Sequence, residues 1–183
     1  MEATRNPFDA IVVTTQSPDG QIAMRYTHPR QIGVRFRPGA YDRYTRRELE
    51  SQLVQVATKL WVAYRRACQA ALTEILGFPS SGGPEGDDEK SLRFERERAV
   101  MPAVGESANG EIRVRTTGFV RWDVQISNRA LDRLAEGQFC EALAQAAQGL
   151  LDDHMTKLHA LKNEIFDLRL PDRNARSRGT RGW

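Results

Sequence analysis

The chain has 183 residues, of which 40% are hydrophobic and 28% charged, and its net charge is +3. This composition is typical of a globular protein and excludes a collagen-like, disulfide-dense or wholly disordered chain. Two cysteines, Cys68 and Cys140, form no CxxC pair, so we interpret them as buried thiols of a reducing compartment, with one disulfide as the alternative. We find no secretory signal and no run of 18 apolar residues, which predicts a cytoplasmic protein without a membrane partner.

Charge is distributed unevenly along the chain. Residues 1–78 carry a net charge of +4 and residues 169–183 another +4, whereas residues 79–110 carry −3 and residues 111–168 carry −2. The two basic blocks are suited to contact with a polyanion, and the acidic middle would repel one. The alternative is that these charges only solvate the surface.

An internal repeat is the strongest pattern in the sequence. At an offset of 90 positions, the stretch from Asp19 to Ile22 aligns with the stretch from Asn109 to Ile112, and the register continues without a gap to Ile75 and Ile165. Roughly a quarter of the aligned positions are identical, well above chance for a fixed register. We interpret the pattern as a tandem duplication.

In each copy the hydrophobic period changes once, from two to 3.6 residues. In the first copy, Ala10 to Gln16 and Gln21 to Thr27 are predicted to form a hairpin about the Asp19-Gly20 turn, and the alternation from Ile32 to Phe36 predicts a third strand. These strands predict an antiparallel meander with one solvated face.

A long amphipathic helix is predicted after the meander. The tetrapeptide from Thr45 to Glu48 fits a capping box, and an apolar stripe from Leu49 to Ile75 recurs at spacings of three and four until Gly77 and Pro79.

The second copy repeats this plan, except in its first strand. Pro102 and Gly105 argue against a strand directly before Asn109-Gly110, and the alternative is that the equivalent strand lies near Ser91 to Arg98, beyond a longer loop. The sequence thus predicts an α+β fold of two tandem units, each a three-stranded antiparallel meander followed by a long amphipathic helix. The units span residues 8–78 and 91–168, separated by a flexible acidic linker at 79–90 and followed by a basic, disordered tail at 169–183.

Several local motifs together resemble a known family. They are Pro18-Asp19-Gly20, the run from Gly33 to Tyr41, Glu48-Leu49 within Ile11 to Leu76, and the run from Val124 to Leu131 in the second copy. This pattern resembles the YbaB/EbfC family of nucleoid-associated proteins, and more narrowly its actinobacterial branch. The resemblance covers about two thirds of the chain, counting both repeat copies.

The resemblance implies a small cytoplasmic protein, located at the nucleoid, that binds double-stranded DNA with little sequence specificity. Members of the family form dimers, so a chain with two units is expected to form either a homodimer or an internal pseudo-dimer. The usual N-terminal helix of the family is absent from the first copy. Some actinobacterial relatives are associated with type VII secretion, so the alternative is a protein-interaction or chaperone-like accessory factor of such a locus, with a secretion-system protein as its partner.

Arginines are the candidate DNA-binding residues, because guanidinium groups bind phosphates through forked hydrogen bonds and release counterions. They fall on the outward strand positions, at the start of the first long helix, and in the tail. The candidates are Arg25, Arg35, Arg37, Arg113 and Arg115, with Arg121 beside them; Arg43, Arg46 and Arg47; and Arg173, Arg176, Arg178 and Arg181. The alternative is that they only cover a solvent face, with Glu48 and Glu50 neutralising the helix start.

Enzymatic chemistry is not expected from this sequence. His154 and His159 are five residues apart, about 140° around a helix, so they do not form a metal-binding pair. Gly82-Gly83 lacks the Lys-Ser/Thr of a phosphate-binding loop, and no base accompanies either cysteine. We therefore predict no catalytic residue, metal or cofactor, and interpret Trp61 and Trp122 as core or interface residues.

Overall fold

A computed structural model describes residues 7–29, 31–77 and 89–166. The first copy contains strands β1 (Val12–Gln16), β2 (Ile22–Thr27) and β3 (Gln31–Phe36), a short 3₁₀ turn, and helix α1 (Arg46–Leu76). The second copy contains helix α2 (Glu89–Ala99), strands β4 (Pro102–Glu106), β5 (Ile112–Thr117) and β6 (Arg121–Ile126), the short helix α3 (Ala130–Arg133) and helix α4 (Glu136–Phe166). The fold is therefore α+β, as predicted.

The two copies have the same strand topology. Each sheet is an antiparallel meander, in the order β1-β2-β3 and β4-β5-β6, and each strand begins 90 positions before its counterpart. The hairpin turns also match: the amide of Gln21 donates to Asp19 Oδ1 over 3.0 Å, and that of Glu111 donates to Asn109 Oδ1 over 3.1 Å. The offset found in the sequence thus corresponds to a repeat in the backbone.

The alternative position near Ser91 to Arg98 for the first strand of the second copy is wrong. The strand is Pro102–Glu106, and residues 91–98 lie inside helix α2. Pro102 is the first residue of β4, and β4 is an edge strand. The missing N–H of proline costs little at such a position. Gly105 permits close approach of α4, since a Cβ there would lie 1.9 Å from the carbonyl oxygen of Ala146.

Two further boundaries differ from the sequence prediction. β1 begins at Val12, because Pro7–Ala10 forms a 3₁₀ turn instead of extending the strand. The last two residues of the predicted linker, Glu89 and Lys90, belong to α2. Residues 79–88 and the predicted tail lie outside the described residues.

Local signals at the ends of α1 are confirmed. The Thr45 hydroxyl accepts from the amide of Glu48, and the Glu48 carboxylate accepts from the amide of Thr45 over 3.0 Å, which completes the capping box. Gly77 ends the helix with a left-handed φ of 72°, a conformation that glycine adopts without a steric penalty.

One hydrophobic core spans both copies. The fully buried Phe139 of α4 packs edge-on against Phe36 of β3, with ring centroids 6.0 Å apart, and lies 5.3 Å from the ring of Tyr41. In the opposite direction, Trp61 of α1 stacks on Phe119 in the β5–β6 turn at 4.0 Å. Each long helix packs on its own sheet and also on the last strand of the other sheet, α1 on β6 and α4 on β3.

Hydrogen bonds join the copies at the edges of this core. The Tyr41 hydroxyl donates to the Leu134 carbonyl over 2.9 Å, and the amide of Ile126 donates to the Glu50 carboxylate over 2.9 Å. None of the helices within residues 7–29, 31–77 and 89–166 combines the length and the apolar character that a membrane-spanning segment requires.

Candidate nucleic-acid interface

The outer faces of the two sheets carry all five arginines of the described strands: Arg25, Arg35, Arg113, Arg115 and Arg121. In β2 the side chains of Ile22, Met24 and Tyr26 are buried, so the alternate residues around Arg25 point away from the core. The same alternation in β3 buries Val34 and exposes Arg35. The structure therefore confirms the predicted outward orientation of Arg25 and Arg35.

The outer face of the first sheet is basic, without acidic residues on its strands. Arg25 and Arg35 are exposed on neighbouring strands, and because Arg25 faces Gly33 they are diagonal neighbours, about 7–8 Å apart. Arg37 is exposed just beyond β3. The outward residues of this sheet are Val12, Thr14, Gln16, Ala23, Arg25, Thr27, Gln31, Gly33 and Arg35.

The outer face of the second sheet is largely neutralised. Arg113 forms an ion pair with Glu106 at 2.6 Å, and Arg115 lies directly opposite Asp123 in the register of β5 and β6. Arg121 is exposed at the start of β6. The outward residues here are Pro102, Val104, Glu106, Arg113, Arg115, Thr117, Arg121, Asp123 and Gln125.

The sequence carries a signal for this difference between the sheets that the prediction did not use. Asp123 alternates with Trp122 and Val124, which already indicates its outward position. Glu106 was not assigned to the sheet because the first strand of the second copy was misplaced. The sequence prediction therefore assigned DNA binding to the arginines of both sheets alike.

The three arginines at the start of α1 do not form one cluster. Arg46 donates to the Ile126 carbonyl over 3.3 Å and lies 3.7 Å from the Glu50 carboxylate, so it joins the two copies. Arg43 and Arg47 are exposed. Hydrogen bonds from the Thr45 side chain and backbone hold the pKa of Glu48 below its ordinary value, so a carboxylate already faces the helix N-terminus.

The remaining candidate DNA-binding residues are the arginines of the tail. Arg173, Arg176, Arg178 and Arg181 lie outside the described residues.

Cys68 and Cys140 are unpaired and half-buried, so the disulfide alternative was wrong. Burial, with a smaller contribution from Glu136, raises the pKa of the Cys140 thiol to about 11, which keeps it protonated at neutral pH.

Neither histidine on α4 belongs to a metal site in the described part of the chain, where no three metal-ligating side chains come together. His154 is half-buried, with its ring edge-on to Phe119 at 4.6 Å, and His159 is exposed.

The fold and its charged faces define an α+β protein with an internal repeat, whose two sheets share a topology but differ in outer-face charge. Comparison with known proteins finds no family model, curated protein or solved structure that matches the chain.

Proposed function

We propose that this protein binds double-stranded DNA with little sequence specificity, as a nucleoid-associated protein of the YbaB/EbfC type built from two fused units. The observation that carries the proposal is the outer face of the first sheet. It exposes Arg25 and Arg35, with Arg37 beyond the strand, and its strands contribute no carboxylate to that face.

The chemistry of this face suits a phosphate backbone. A guanidinium group binds a phosphate through two parallel hydrogen bonds, and each neutralised phosphate releases condensed counterions. Such contacts carry no information about base sequence. Arg43 and Arg47 add exposed positive charge at the entry to α1, and the arginines of the tail are proposed to act as a basic arm.

The internal repeat supplies a matched test, because Arg25 and Arg115 occupy equivalent positions on the two sheets. We expect Arg25→Ala to weaken binding to a random-sequence duplex and to lower the slope of log affinity against log salt by about 0.9, the value for one phosphate. Arg115→Ala is expected to change the slope much less, because Asp123 already faces Arg115. Fluorescence anisotropy at several salt concentrations measures both slopes.

Other outcomes of this titration count against the proposal. Equal losses of affinity for Arg25→Ala and Arg115→Ala would contradict the assignment of the binding face to the first sheet, and no binding at low salt would contradict DNA binding altogether.

A third variant replaces Arg173, Arg176, Arg178 and Arg181 by alanine. If the tail contributes, this variant weakens binding uniformly across duplex sequences; unchanged affinity would show that it does not.

A second candidate function is a protein-interaction or chaperone-like accessory role at a type VII secretion locus. It is favoured by the apolar C-terminal end of α1, where Ile75 is 52% exposed, although its repeat counterpart Ile165 is only 5% exposed. Helix α2 packs against the end of α4, with the rings of Phe94 and Phe166 5.8 Å apart. An uncovered apolar helix face is suited to binding a partner helix.

A pull-down from nuclease-treated lysate separates the two functions. A protein partner is expected to survive nuclease treatment and to be lost when Ile75→Glu places a charge on the apolar end of α1. A captured protein that disappears with nuclease is bridged by nucleic acid, and that result would contradict the second function.

A further inference from the structure

A partly open cavity of about 280 Å³ lies between the two copies and is lined largely by residues of the shared core. Leu53, Ala57 and Leu60 of α1 line it from one side, and their repeat counterparts Leu143, Ala147 and Leu150 of α4 line it from the other. These three pairs are identical in sequence. This part of the wall is therefore symmetric and aliphatic.

Another part of the wall is aromatic and breaks the symmetry of the repeat. Trp61 of α1 has Leu151 as its counterpart, whereas Trp122 of β6 has Ile32. Both tryptophans pack on Phe119, Trp61 stacked at 4.0 Å and Trp122 edge-on at 5.5 Å. Each copy thus supplies one tryptophan at a position where the other copy has an aliphatic residue.

The backbone at Phe119 fixes this aromatic wall. Phe119 has a φ of 57°, a conformation uncommon for a residue with a bulky side chain, and it is only 4% exposed. The Trp122 indole donates to the Phe119 carbonyl over 3.1 Å, and the preceding Gly118 amide donates to Met101 over 3.0 Å. Backbone strain of this kind is concentrated at ligand-binding and catalytic sites.

The charges near the cavity do not favour an ionic ligand. Arg98 is the charged residue of the lining, and its guanidinium already forms an ion pair with Glu95 at 2.6 Å. Burial and, to a lesser extent, nearby Arg98 lower the pKa of His154, so its imidazole is neutral at pH 7. A neutral molecule is therefore the ligand class that this wall fits.

The size of the cavity limits the ligand further. A dry apolar cavity of about 150 Å³ binds benzene, and this cavity is nearly twice that volume. We propose that the cavity is a binding site for a neutral, planar aromatic molecule of two fused rings.

Binding of 2-naphthol to the full-length chain tests the proposal. The chain has three tryptophans, and Trp183→Phe leaves Trp61 and Trp122, both in the cavity wall, as the fluorescent reporters. We expect saturable quenching of this fluorescence with one site per chain, and the same stoichiometry by calorimetry. Non-saturable quenching, or no heat of binding, would overturn the proposal.

A filled cavity provides the specificity control. The double variant Ala57→Leu/Ala147→Leu adds two side chains that occupy the space of the rings, so we expect binding at least about tenfold weaker. The matched control is Ala70→Leu/Ala160→Leu, a pair of exposed repeat counterparts on the same helices, which is expected to bind normally. Equal binding by both double variants would place the ligand elsewhere and contradict the proposal.

A second filling variant guards against misfolding. Leu151→Trp gives α4 the residue that α1 has at the equivalent position, and it narrows the cavity from the side opposite Trp61. Circular dichroism and thermal unfolding establish which filled variants are folded, and binding is compared among those alone. The binding test for this site is independent of the proposed DNA binding, because the experiment contains no nucleic acid.

Discussion

Gly105 lies where strand β4 approaches helix α4 most closely. A Cβ at this position would lie 1.9 Å from the carbonyl oxygen of Ala146 and 2.3 Å from the amide nitrogen of Leu150, and both are backbone atoms that cannot rotate away. We expect Gly105→Ala to lower the free energy of unfolding by about 1–3 kcal/mol or more, since the strand and the helix must separate. Urea denaturation followed by circular dichroism measures the change.

The control for this variant is Gly33→Ala on the outer face of β3. No atom lies within 4 Å of a Cβ built at Gly33, so the free energy of unfolding is expected to change by less than about 0.5 kcal/mol. Similar losses for the two variants would show that glycine is needed for backbone conformation and not for the contact with α4.

His154 couples stability to pH at the boundary between the copies. Burial, and then the positive charge of Arg98, lower the pKa of His154 below its ordinary value, so the unfolded chain binds the proton more tightly than the folded one. This contribution to stability is complete above the unfolded pKa, near 6.5, and is lost progressively as the pH falls below it. One proton limits the slope to about 1.4 kcal/mol per pH unit.

The variant His154→Tyr, which copies Tyr64 of the first unit, tests this linkage. We expect its unfolding free energy to fall less between pH 7 and pH 5 than that of the wild-type chain. His159→Tyr, at an exposed position on the same helix, is expected to retain the wild-type pH dependence. Parallel curves for the wild-type chain and His154→Tyr would contradict the linkage.

At the scale of elements, the two long helices begin with unequal caps. The capping box of α1 is complete, whereas α4 has Ala135 at the position equivalent to Thr45, and there only the Gln138 side chain accepts from the Ala135 amide, over 3.0 Å. We expect Thr45→Ala to destabilise the protein by about 1 kcal/mol and Ala135→Thr to stabilise it by about 0.5–1 kcal/mol. Thermal unfolding of both variants measures the two opposite shifts.

The double variant tests whether the caps act independently. The two helix starts are joined by the hydrogen bond between Tyr41 and Leu134. A stability change in the double variant that differs from the sum of the two single changes would therefore indicate coupling between the copies. A loss of stability in Ala135→Thr would contradict the assignment of Ala135 as the cap position.

Elements defined by local chemistry were predictable from the sequence, and elements that depend on tertiary contact were not. Thr45, Glu48 and Gly77 fix the ends of α1 through hydrogen bonds and dihedral angles within a few residues. Strand β4 was missed because Gly105 weakens a strand locally but is required by the approach of α4, which is distant in sequence. The outward arginines of the first sheet, and Asp123 on the second, follow from alternation alone, whereas the pairing of Glu106 with Arg113 required the register of β4.

At the scale of the whole molecule, the repeat creates a main core that both copies share instead of one core in each copy. Phe139 of α4 contacts Phe36 and Tyr41 of the first copy, so its burial depends on residues about 100 positions earlier. Periodicity places each of these residues on a buried face, but it does not say which copy buries it. The shared core and the cavity that its residues line were therefore beyond sequence reasoning.

This arrangement predicts that the described copies unfold together. We expect Phe139→Ala to lower the free energy of unfolding by about 3–5 kcal/mol in a single transition, because the lost ring leaves a cavity walled by both copies. Hydrogen exchange should then show lost protection in β3 as well as in α4. The control, Ile165→Ala, lies in the separate cluster of Met101 and Leu161, so its effect should be confined to α2 and the end of α4. Two resolved transitions in Phe139→Ala, or normal protection of β3, would show that the copies are independent folding units.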